Sequence, residues 1–511
     1  MMKKDTILIL DFGSQYTNLI ARTIRELGVF SRIEPFDFDL DTLDDASTTK
    51  GIILSGGPRS VYGKDAYKMD DKVFDFKVPV LGICYGMQMM NFIFGGIVNK
   101  SRVREYGQSD MQFIKQDAIF EGLNEHEPVW MSHADHIERL ADAFTVIAKS
   151  ESIIAAIKHE TYPFYGFQFH PEVRHTIKGK KMLENFVYSI CNASKDWRID
   201  DVINRQVALI EKTVQNDSVL LGLSGGVDSS VTAVLLHRAI KDKLTCVFVD
   251  HGLLRLGEAE EVMRVFKESY AMNVIKVDAK DRFLNALKGV TDPETKRKII
   301  GKLFIDVFKE TALTHGDFKY LAQGTLYTDI IESGTATAKT IKSHHNVGGL
   351  PKELGFDLIE PLNQLFKDEV RRLGEALDMP AHFIHRQPFP GPGLAIRIIG
   401  DVTDDKLRIV KESDAILREV FKHHKLDESV WQYFTVLTNT QTVGVMGDNR
   451  SYEYTVAIRA VVSTDGMTAD FAKIPYDVLE QCSRRFVNEI EGINRVVYDV
   501  TSKPPATIEW E

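Results

Sequence analysis

The chain reads as an α/β protein: two doubly wound parallel-sheet domains followed by a smaller α+β C-terminal domain. Three observations predict this. Short apolar runs at residues 7–12, 51–55, 80–83, 219–223 and 245–250 alternate with stretches of helical spacing, the pattern of buried parallel strands joined by helices. The strand candidates at 245–250, 274–278 and 320–323 each end in a polar residue, as strands do where they open on a ligand crevice. The alternation stops at Gln387-Pro388-Phe389-Pro390-Gly391-Pro392-Gly393, beyond which helical patterns at 404–422 and 476–491 mix with extended ones at 442–446, 454–462 and 495–500. A length of 511 residues fits three domains at about 150 residues each, and the expected boundaries are 1–195, 196–386 and 387–511.

Composition narrows the partners. An apolar fraction of 44% and a charged fraction of 27% are ordinary for a soluble globular chain. Asp11 ends the apolar run of Ile7-Leu8-Ile9-Leu10 too early for a signal peptide, so this is a first strand. No stretch approaches the roughly 18 apolar residues of a membrane span, and no membrane partner is expected. The formal charge of −10 disfavours a nucleic-acid platform. Cys84, Cys191, Cys246 and Cys482 show no metal or redox spacing, which suits a reducing cytoplasm.

Residues 80–83 run into Gly82-Ile83-Cys84-Tyr85-Gly86, and Met87, Met90 and Phe94 follow at helical spacing. That is a nucleophile elbow with sulfur in place of a serine oxygen. The helix N-terminus favours the thiolate form of Cys84. A thiolate needs a proton shuttle, and Gly166-Phe167-Gln168-Phe169-His170-Pro171-Glu172 supplies one. Residues two apart in an extended chain point the same way, so Glu172 can orient the imidazole of His170. A buried structural cysteine is the bland reading of Cys84; the elbow and the shuttle together favour a catalytic triad.

The apolar run at 219–223 leads into Ser224-Gly225-Gly226-Val227-Asp228-Ser229-Ser230, with a helical pattern from 231 to 236. Backbone N–H groups of such a loop and of the helix start converge on an anion, and the two glycines permit close approach. The loop lacks the Gly-Lys-Ser/Thr ending of a Walker A motif. Val249-Asp250-His251-Gly252-Leu253-Leu254-Arg255 lies at the end of the next strand, where an adenosine would lie; an ordinary strand-loop junction is the alternative. Asp329 and Glu332 are three apart, on one face if helical, able to hold magnesium or orient a reacting group; a solvated acidic face is the alternative. Lys367 is either a counter-charge for pyrophosphate or an exposed helical lysine.

Three resemblances extend this reading. The heptapeptide 224–230 resembles the loop of ATP pyrophosphatases, which implies that ATP is cleaved between its α and β phosphates and adenylates an oxygen. Residues 1–195 resemble class I glutamine amidotransferases through the Gly-Ile-Cys-Tyr-Gly and His-Pro-Glu motifs. This implies that Cys84 attacks the amide of glutamine to give a glutamyl thioester and ammonia, with His170 moving the protons. It also implies that the N–H groups of Gly57, in Ser55-Gly56-Gly57-Pro58, and of Tyr85 face the developing oxyanion. Gln88 would lie beside the bound glutamine. Residues 130–135 match a substrate-side segment of that family, with Ala134 where glycine is usual.

The whole chain resembles the glutamine-hydrolysing guanosine monophosphate synthetase family. The resemblance rests on residues 391–400, on 443–448 and on the terminal Ser502-Lys503-Pro504-Pro505-Ala506-Thr507-Ile508-Glu509-Trp510-Glu511. It implies xanthosine 5'-phosphate as acceptor, ATP with Mg2+, and a C-terminal domain that pairs two subunits as a homodimer. Xanthylate would be bound by Arg297, Gln441, Lys503, Ile508 and Glu509, with Lys503 at the phosphate and Glu509 at the ribose. Thr328 and Gln387 depart from residues common in relatives. A rival function, tRNA modification on a pyrophosphate-loop domain, is disfavoured by the acidic balance and by the lack of a cysteine pair for sulfur transfer.

Overall fold

The computed structural model describes residues 4–43, 46–151, 153–334, 355–446, 449–463, 466 and 468–511. The chain forms two compact units, Met1–Val202 and Ile203–Glu511.

The first unit is built on a nine-stranded sheet. In chain order its strands are β1 (Thr6–Asp11), β2 (Phe30–Pro35), β3 (Thr49–Leu54), β4 (Val80–Ile83), β5 (Ile97–Phe113), β6 (His126–Arg139), β7 (Phe144–Ser150), β8 (Ile153–His159) and β9 (Phe164–Phe167). Across the sheet they run β2-β1-β3-β4-β9-β8-β7-β5-β6. The first five in this order are mutually parallel, and the inner four, β1, β3, β4 and β9, are buried on both faces, which is why β1, β3 and β4 read as unbroken apolar runs. The other four extend the sheet antiparallel. This extension is a feature that hydropathy hid. In β6, burial alternates along the strand, but Glu127, His133 and Asp135 stand on the buried side, so the strand does not alternate in polarity.

Glycines let the central strands meet the helix Tyr85–Ile93. A Cβ on Gly86 would lie 2.3 Å from the Leu54 carbonyl oxygen, so only glycine seats this helix start against β3. Leu8, Leu10, Ile52, Leu54, Val80, Met87 and Met90 form the core beneath it.

The second unit opens with a parallel sheet of β10 (Val219–Gly222), β11 (Leu244–Asp250), β12 (Asn273–Asp278), β13 (Tyr320–Ala322) and β14 (Asp357–Ile359), in the order β12-β11-β10-β13-β14. The chain leaves β10 in one direction for β11 and β12 and returns on the other side at β13. The topological switch point, where ligands of open α/β sheets bind, therefore lies between the ends of β10 and β13.

The remainder folds on β15 (Gln432–Met446), β16 (Asn449–Val462), β17 (Asp470–Phe471) and β18 (Ile493–Asp499). β15 and β17 pair antiparallel with β16, and β18 pairs parallel with it. Helices Asp404–His423 and Tyr476–Glu489 pack on this sheet through one core, to which they contribute Leu407, Val410, Leu417, Phe421, Cys482 and Phe486. That core is continuous with Leu220 and Val247 of the parallel sheet. Where the chain turns after the Pro-Gly run, Leu394 N–H donates to Leu253 O at 2.9 Å, tying the two parts together. Among the described residues, no helix is long and apolar enough to cross a membrane.

Candidate active sites

β4 delivers Cys84 into a backbone conformation of φ 50° and ψ −103°, which L-residues rarely adopt and which a sharp strand-to-helix turn requires. The turn is held by Cys84 N–H, which donates to Phe167 O at 2.6 Å. The Cys84 sulfur lies close enough to His170 to raise the proton affinity of its imidazole. On its other side His170 Nδ1 lies 2.7 Å from Glu172 Oε1, and the Glu172 side chain is fully buried. Burial by itself lowers the proton affinity of His170, but the Glu172 carboxylate and the Cys84 sulfur outweigh it and raise the pKa to about 10. The three predicted triad residues therefore meet, with the imidazole held cationic beside the Glu172 carboxylate and the Cys84 sulfur. Nearby His133, on β6, is pushed down to about 4, chiefly by burial, and is neutral at pH 7.

The oxyanion segment follows β3. A Cβ on Gly57 would lie 2.8 Å from Phe12 O and 3.3 Å from Tyr85 Cγ, so the Gly57 backbone packs directly on Tyr85. Tyr85 is the first residue of its helix, and first-turn N–H groups have no acceptor within a helix. Gln88 is buried, and its Nε2 donates to Asp135 O at 2.9 Å and to Gln168 Oε1 at 3.2 Å. Asp135, next to Ala134, accepts Ser60 Oγ at 2.5 Å and Tyr62 Oη at 3.1 Å.

In the second unit, Ser224–Ser230 links β10 to the helix Val227–Ile240 at the switch point. Gly225 takes φ +75°, and Gly226 is the extended residue that opens the helix. The loop is braced from within: Ser224 and Ser229 hydroxyls lie 2.9 Å apart, and Ser224 Oγ accepts Gly226 N–H at 3.3 Å. Arg386 braces it from outside, with Nη1 donating to Gly225 O at 2.8 Å while Nη2 pairs with Glu258. Lys367 begins the helix Lys367–Ala376 and reaches both carboxylate oxygens of Asp228 at 2.6 Å, so these two predicted residues meet at the loop. From the β13 end, Gly324 closes on the same place: a Cβ there would lie 3.2 Å from Asp228 Cβ.

Val249 is buried in β11, one residue before its end. Beyond that end a cavity of about 390 Å³ is lined by Asp250, Leu254, Arg255, Lys280 and Lys411 among others. Burial raises the proton affinity of Asp250, but the Gly252 N–H, Lys276 and Lys280 more than offset it and lower the pKa below the ordinary value. Asp329 lies in the helix Tyr327–Gly334 together with Thr328, and its Oδ2 accepts Leu326 N–H at 2.9 Å, a local cap on the helix start. The side chain of Glu332 lies outside the described residues.

The C-terminal tail is fastened at several points. Ile508 is buried among Phe434, Val436 and Ala457. Glu509 accepts Arg397 Nη2 at 2.9 Å and Gln432 Nε2 at 2.9 Å. Lys296 Nζ pairs with the Glu511 carboxylate, and Arg297 Nη2 donates to the Glu511 backbone oxygen at 2.5 Å. Lys503 exchanges backbone hydrogen bonds with Ala469, and its Nζ donates to Gly466 O at 2.8 Å. The structure thus brings Arg297 to the end of the tail and turns Lys503 toward Gly466. Gln441 stands exposed on β15 opposite Tyr454. Gly447 and Asp448 of the 443–448 motif lie outside the described residues.

Comparison with known proteins bears on all three regions. Residues 8–190 match the model of class-I glutamine amidotransferases, 201–301 that of NAD synthase and 419–510 that of the GMP synthase C terminal domain. The chain is 58% identical over 513 aligned residues to GMP synthase (glutamine-hydrolyzing) of Bacillus cereus, covering 100% of both chains. The chain belongs to the glutamine-hydrolyzing GMP synthase family. The protein of that name from Bacillus anthracis matches equally, at 58% identity over 100% of both chains. That of Lactobacillus johnsonii is 57% identical over 99% of this chain and 98% of its own length.

Several residues at the sites of this GMP synthase family member escaped the sequence reading. Gln168 approaches the Cys84 sulfur at 3.7 Å, and a signal for it was present: it precedes His170 by two residues, as His170 precedes Glu172. Arg386 carried no such signal, because its contact with Gly225 spans 161 residues of chain. Gln387, beside it, uses its Oε1 to accept Tyr433 N–H at 2.7 Å. Arg397 is fully buried between Glu509 and Asp414, and only the fold joins the three.

Proposed function

We infer that this chain aminates xanthosine 5'-phosphate to guanosine 5'-phosphate, using ammonia from glutamine and ATP to adenylate the 2-oxygen of xanthylate, with release of AMP and pyrophosphate. The observation that carries this reading is the presence in one family member of a Cys84–His170–Glu172 triad and a phosphate loop flanked by Lys367.

In the first half-reaction the Cys84 sulfur attacks the amide carbon of glutamine. Gly57 and Tyr85 N–H groups receive the oxyanion, His170 gives its proton to the departing ammonia, and a glutamyl thioester remains. His170 then takes a proton from water, which hydrolyses the thioester to glutamate. In the second half-reaction the xanthylate oxygen attacks the α-phosphorus of ATP. Backbone N–H groups of Ser224–Ser230 and the Lys367 ammonium hold the departing pyrophosphate, while Val249 lies at the adenosine. Ammonia then adds at C2, and AMP leaves.

Magnesium fits this arrangement as a companion of ATP. Mg2+ is usually held by one or two carboxylates together with substrate phosphates. Asp228 supplies one carboxylate at the loop, and among the described residues no cluster of three or more ligands forms a separate metal site. Asp228 would hold the ion, with Asp329 and Glu332 as the further acidic candidates, and the ion would neutralise phosphate charge.

The reading divides the chain into an amidotransferase domain at 1–195, an ATP pyrophosphatase domain at 196–386 and a dimerisation and nucleotide-binding domain at 387–511. Arg297, Gln441, Lys503, Ile508 and Glu509 form its xanthylate site, and the fastening of the tail through Arg397 and Lys296 supports an ordered role for the last residues. Pairing of two copies through the C-terminal part is supported by Val443, Val445 and Tyr452, apolar or aromatic side chains left exposed on the β15–β16 hairpin. A cytoplasmic setting agrees with four free, buried cysteines.

The test is AMP formation from ATP with xanthylate, inosinate and uridylate in parallel, with ammonia as nitrogen donor. Only xanthylate should support stoichiometric AMP and pyrophosphate release; equal turnover with inosinate or uridylate would remove xanthylate as the acceptor.

A further inference from the structure

The glutaminase centre holds one more side chain against the reactive sulfur than the triad uses. Gln168 is fully buried, and its Nε2 lies 3.7 Å from Cys84 Sγ. Which end of this amide faces the sulfur follows from hydrogen-bond polarity. The Asp135 carbonyl oxygen can only accept, so the end of the Gln88 side chain 2.9 Å from it is the NH2. That same NH2 meets Gln168 at 3.2 Å, and a donor must meet an acceptor, so Gln168 presents its oxygen to Gln88. Its NH2 is left for the sulfur. A backbone carbonyl on β6 thus fixes, through two amides, that the sulfur is offered a donor.

We propose that Gln168 is a catalytic residue of the glutaminase site, donating an N–H to the Cys84 thiolate, and that Gln88 is the positioning residue that keeps this amide turned the right way. The inference rests on the reading of Cys84 as the glutamine-hydrolysing nucleophile. A hydrogen bond to an ionised acceptor is stronger than one between neutral groups, and more so away from water. The sulfur has a second polar neighbour of opposite sense: Ser132 O, at 3.8 Å, can only accept from the protonated thiol. Gln168 and Ser132 therefore weigh thiolate against thiol, and Gln168 also fixes the direction of the sulfur lone pairs. The titratable groups around Cys84 are His170 with Glu172 behind it and His133 on β6, while Tyr16 packs its ring edge-on against His170 at 5.0 Å.

The experiment is alkylation of the full-length chain by iodoacetamide, in which the thiolate displaces iodide, followed on the Cys84 peptide by mass spectrometry as a function of pH. In Gln168→Leu the pH midpoint should rise by about one to two units, the equivalent of one lost hydrogen bond to a charged group. Gln88→Glu leaves Gln168 and Cys84 in place, but its single O–H is taken by the Asp135 carbonyl and only acceptor capacity faces Gln168, so Gln168 must turn its NH2 away from the sulfur, and the midpoint should rise here too. An unchanged midpoint in a Gln168→Leu protein whose circular dichroism matches the wild type overturns the proposal. Should that variant not fold, an unchanged midpoint in Gln88→Glu overturns it equally. Glutamine-dependent synthesis persisting in Cys84→Ala would instead sink the underlying assignment of the nucleophile.

Discussion

Glu172 keeps a proton on an imidazole that burial would strip. Its Oε1 takes His170 Nδ1, while its Oε2 is buried with no hydrogen-bond partner among the described residues, so its charge is focused on one histidine. This has a consequence for stability. The His170 pKa stands at about 10 in the folded chain against an ordinary 6.5. A raised pKa stabilises the fold fully below the ordinary value, and that contribution is lost as pH climbs through the folded value. The melting temperature of the wild type should therefore exceed that of Glu172→Gln by most at or below pH 6.5, with the gap closing toward pH 10. Thermal melts of both proteins across this window check it, and a gap that widens with pH contradicts the ion pair. The triad was legible in the chain because all three residues sit in short local patterns, a Gly-x-Cys-x-Gly elbow and a His-x-Glu pair. Gln168 belonged to the same alternation but looked like one more residue of an apolar strand end. The Arg386–Gly225 and Arg397–Glu509 contacts were not legible, since nothing local marks an arginine whose partner is more than 100 residues away.

The loop Ser224–Ser230, proposed to hold phosphate, is a strand end, a turn and a helix start, and the ion pair at its edge sets its charge balance. Lys367 and Asp228 satisfy each other across the turn at 2.6 Å, both partly exposed, so the pair can open when phosphates arrive and offer the ammonium to them. Lys367→Ala should raise the KM for ATP roughly tenfold, the loss of one charge-assisted contact discounted for exposure. The effect should be the same with glutamine or ammonia as nitrogen donor. Pyrophosphate release at varied ATP measures it, and an unaltered KM would leave Lys367 as an exposed helical lysine. Elements such as β10 and β11 were readable because strands buried on both faces are apolar throughout. The helices Asp404–His423 and Tyr476–Glu489 also stand close to their expected spans of 404–422 and 476–491. The long pair β5 and β6 was not readable, because the buried side of β6 carries the polar residues Glu127, His133 and Asp135.

Each reactive constellation lies within a different compact unit: Cys84, His170 and Glu172 within Met1–Val202, the phosphate loop, Lys367 and the fastened tail within Ile203–Glu511. No residue of the triad belongs to the core that supports the loop, which is built from Leu220, Val247 and their neighbours. Chemistry makes the same division, because free ammonia, once supplied, needs no thiolate to attack an adenylated carbon. Replacing Cys84 by alanine removes one sulfur from a turn whose backbone is held by the Phe167 carbonyl, so the fold of the first unit should persist. The strained φ of 50° at this position gives alanine no advantage, and a modest loss of stability in that unit is expected. Glutamine-dependent guanylate synthesis should then fall to background, since without the nucleophile no thioester forms. Synthesis from added ammonia should remain within about twofold of wild type, because no interaction at the loop or tail has been touched. Assaying both nitrogen sources with one preparation of Cys84→Ala separates the alternatives. If the folded variant loses ammonia-dependent synthesis as well, the sulfur does more than hydrolyse glutamine, and the two half-reactions are not independent.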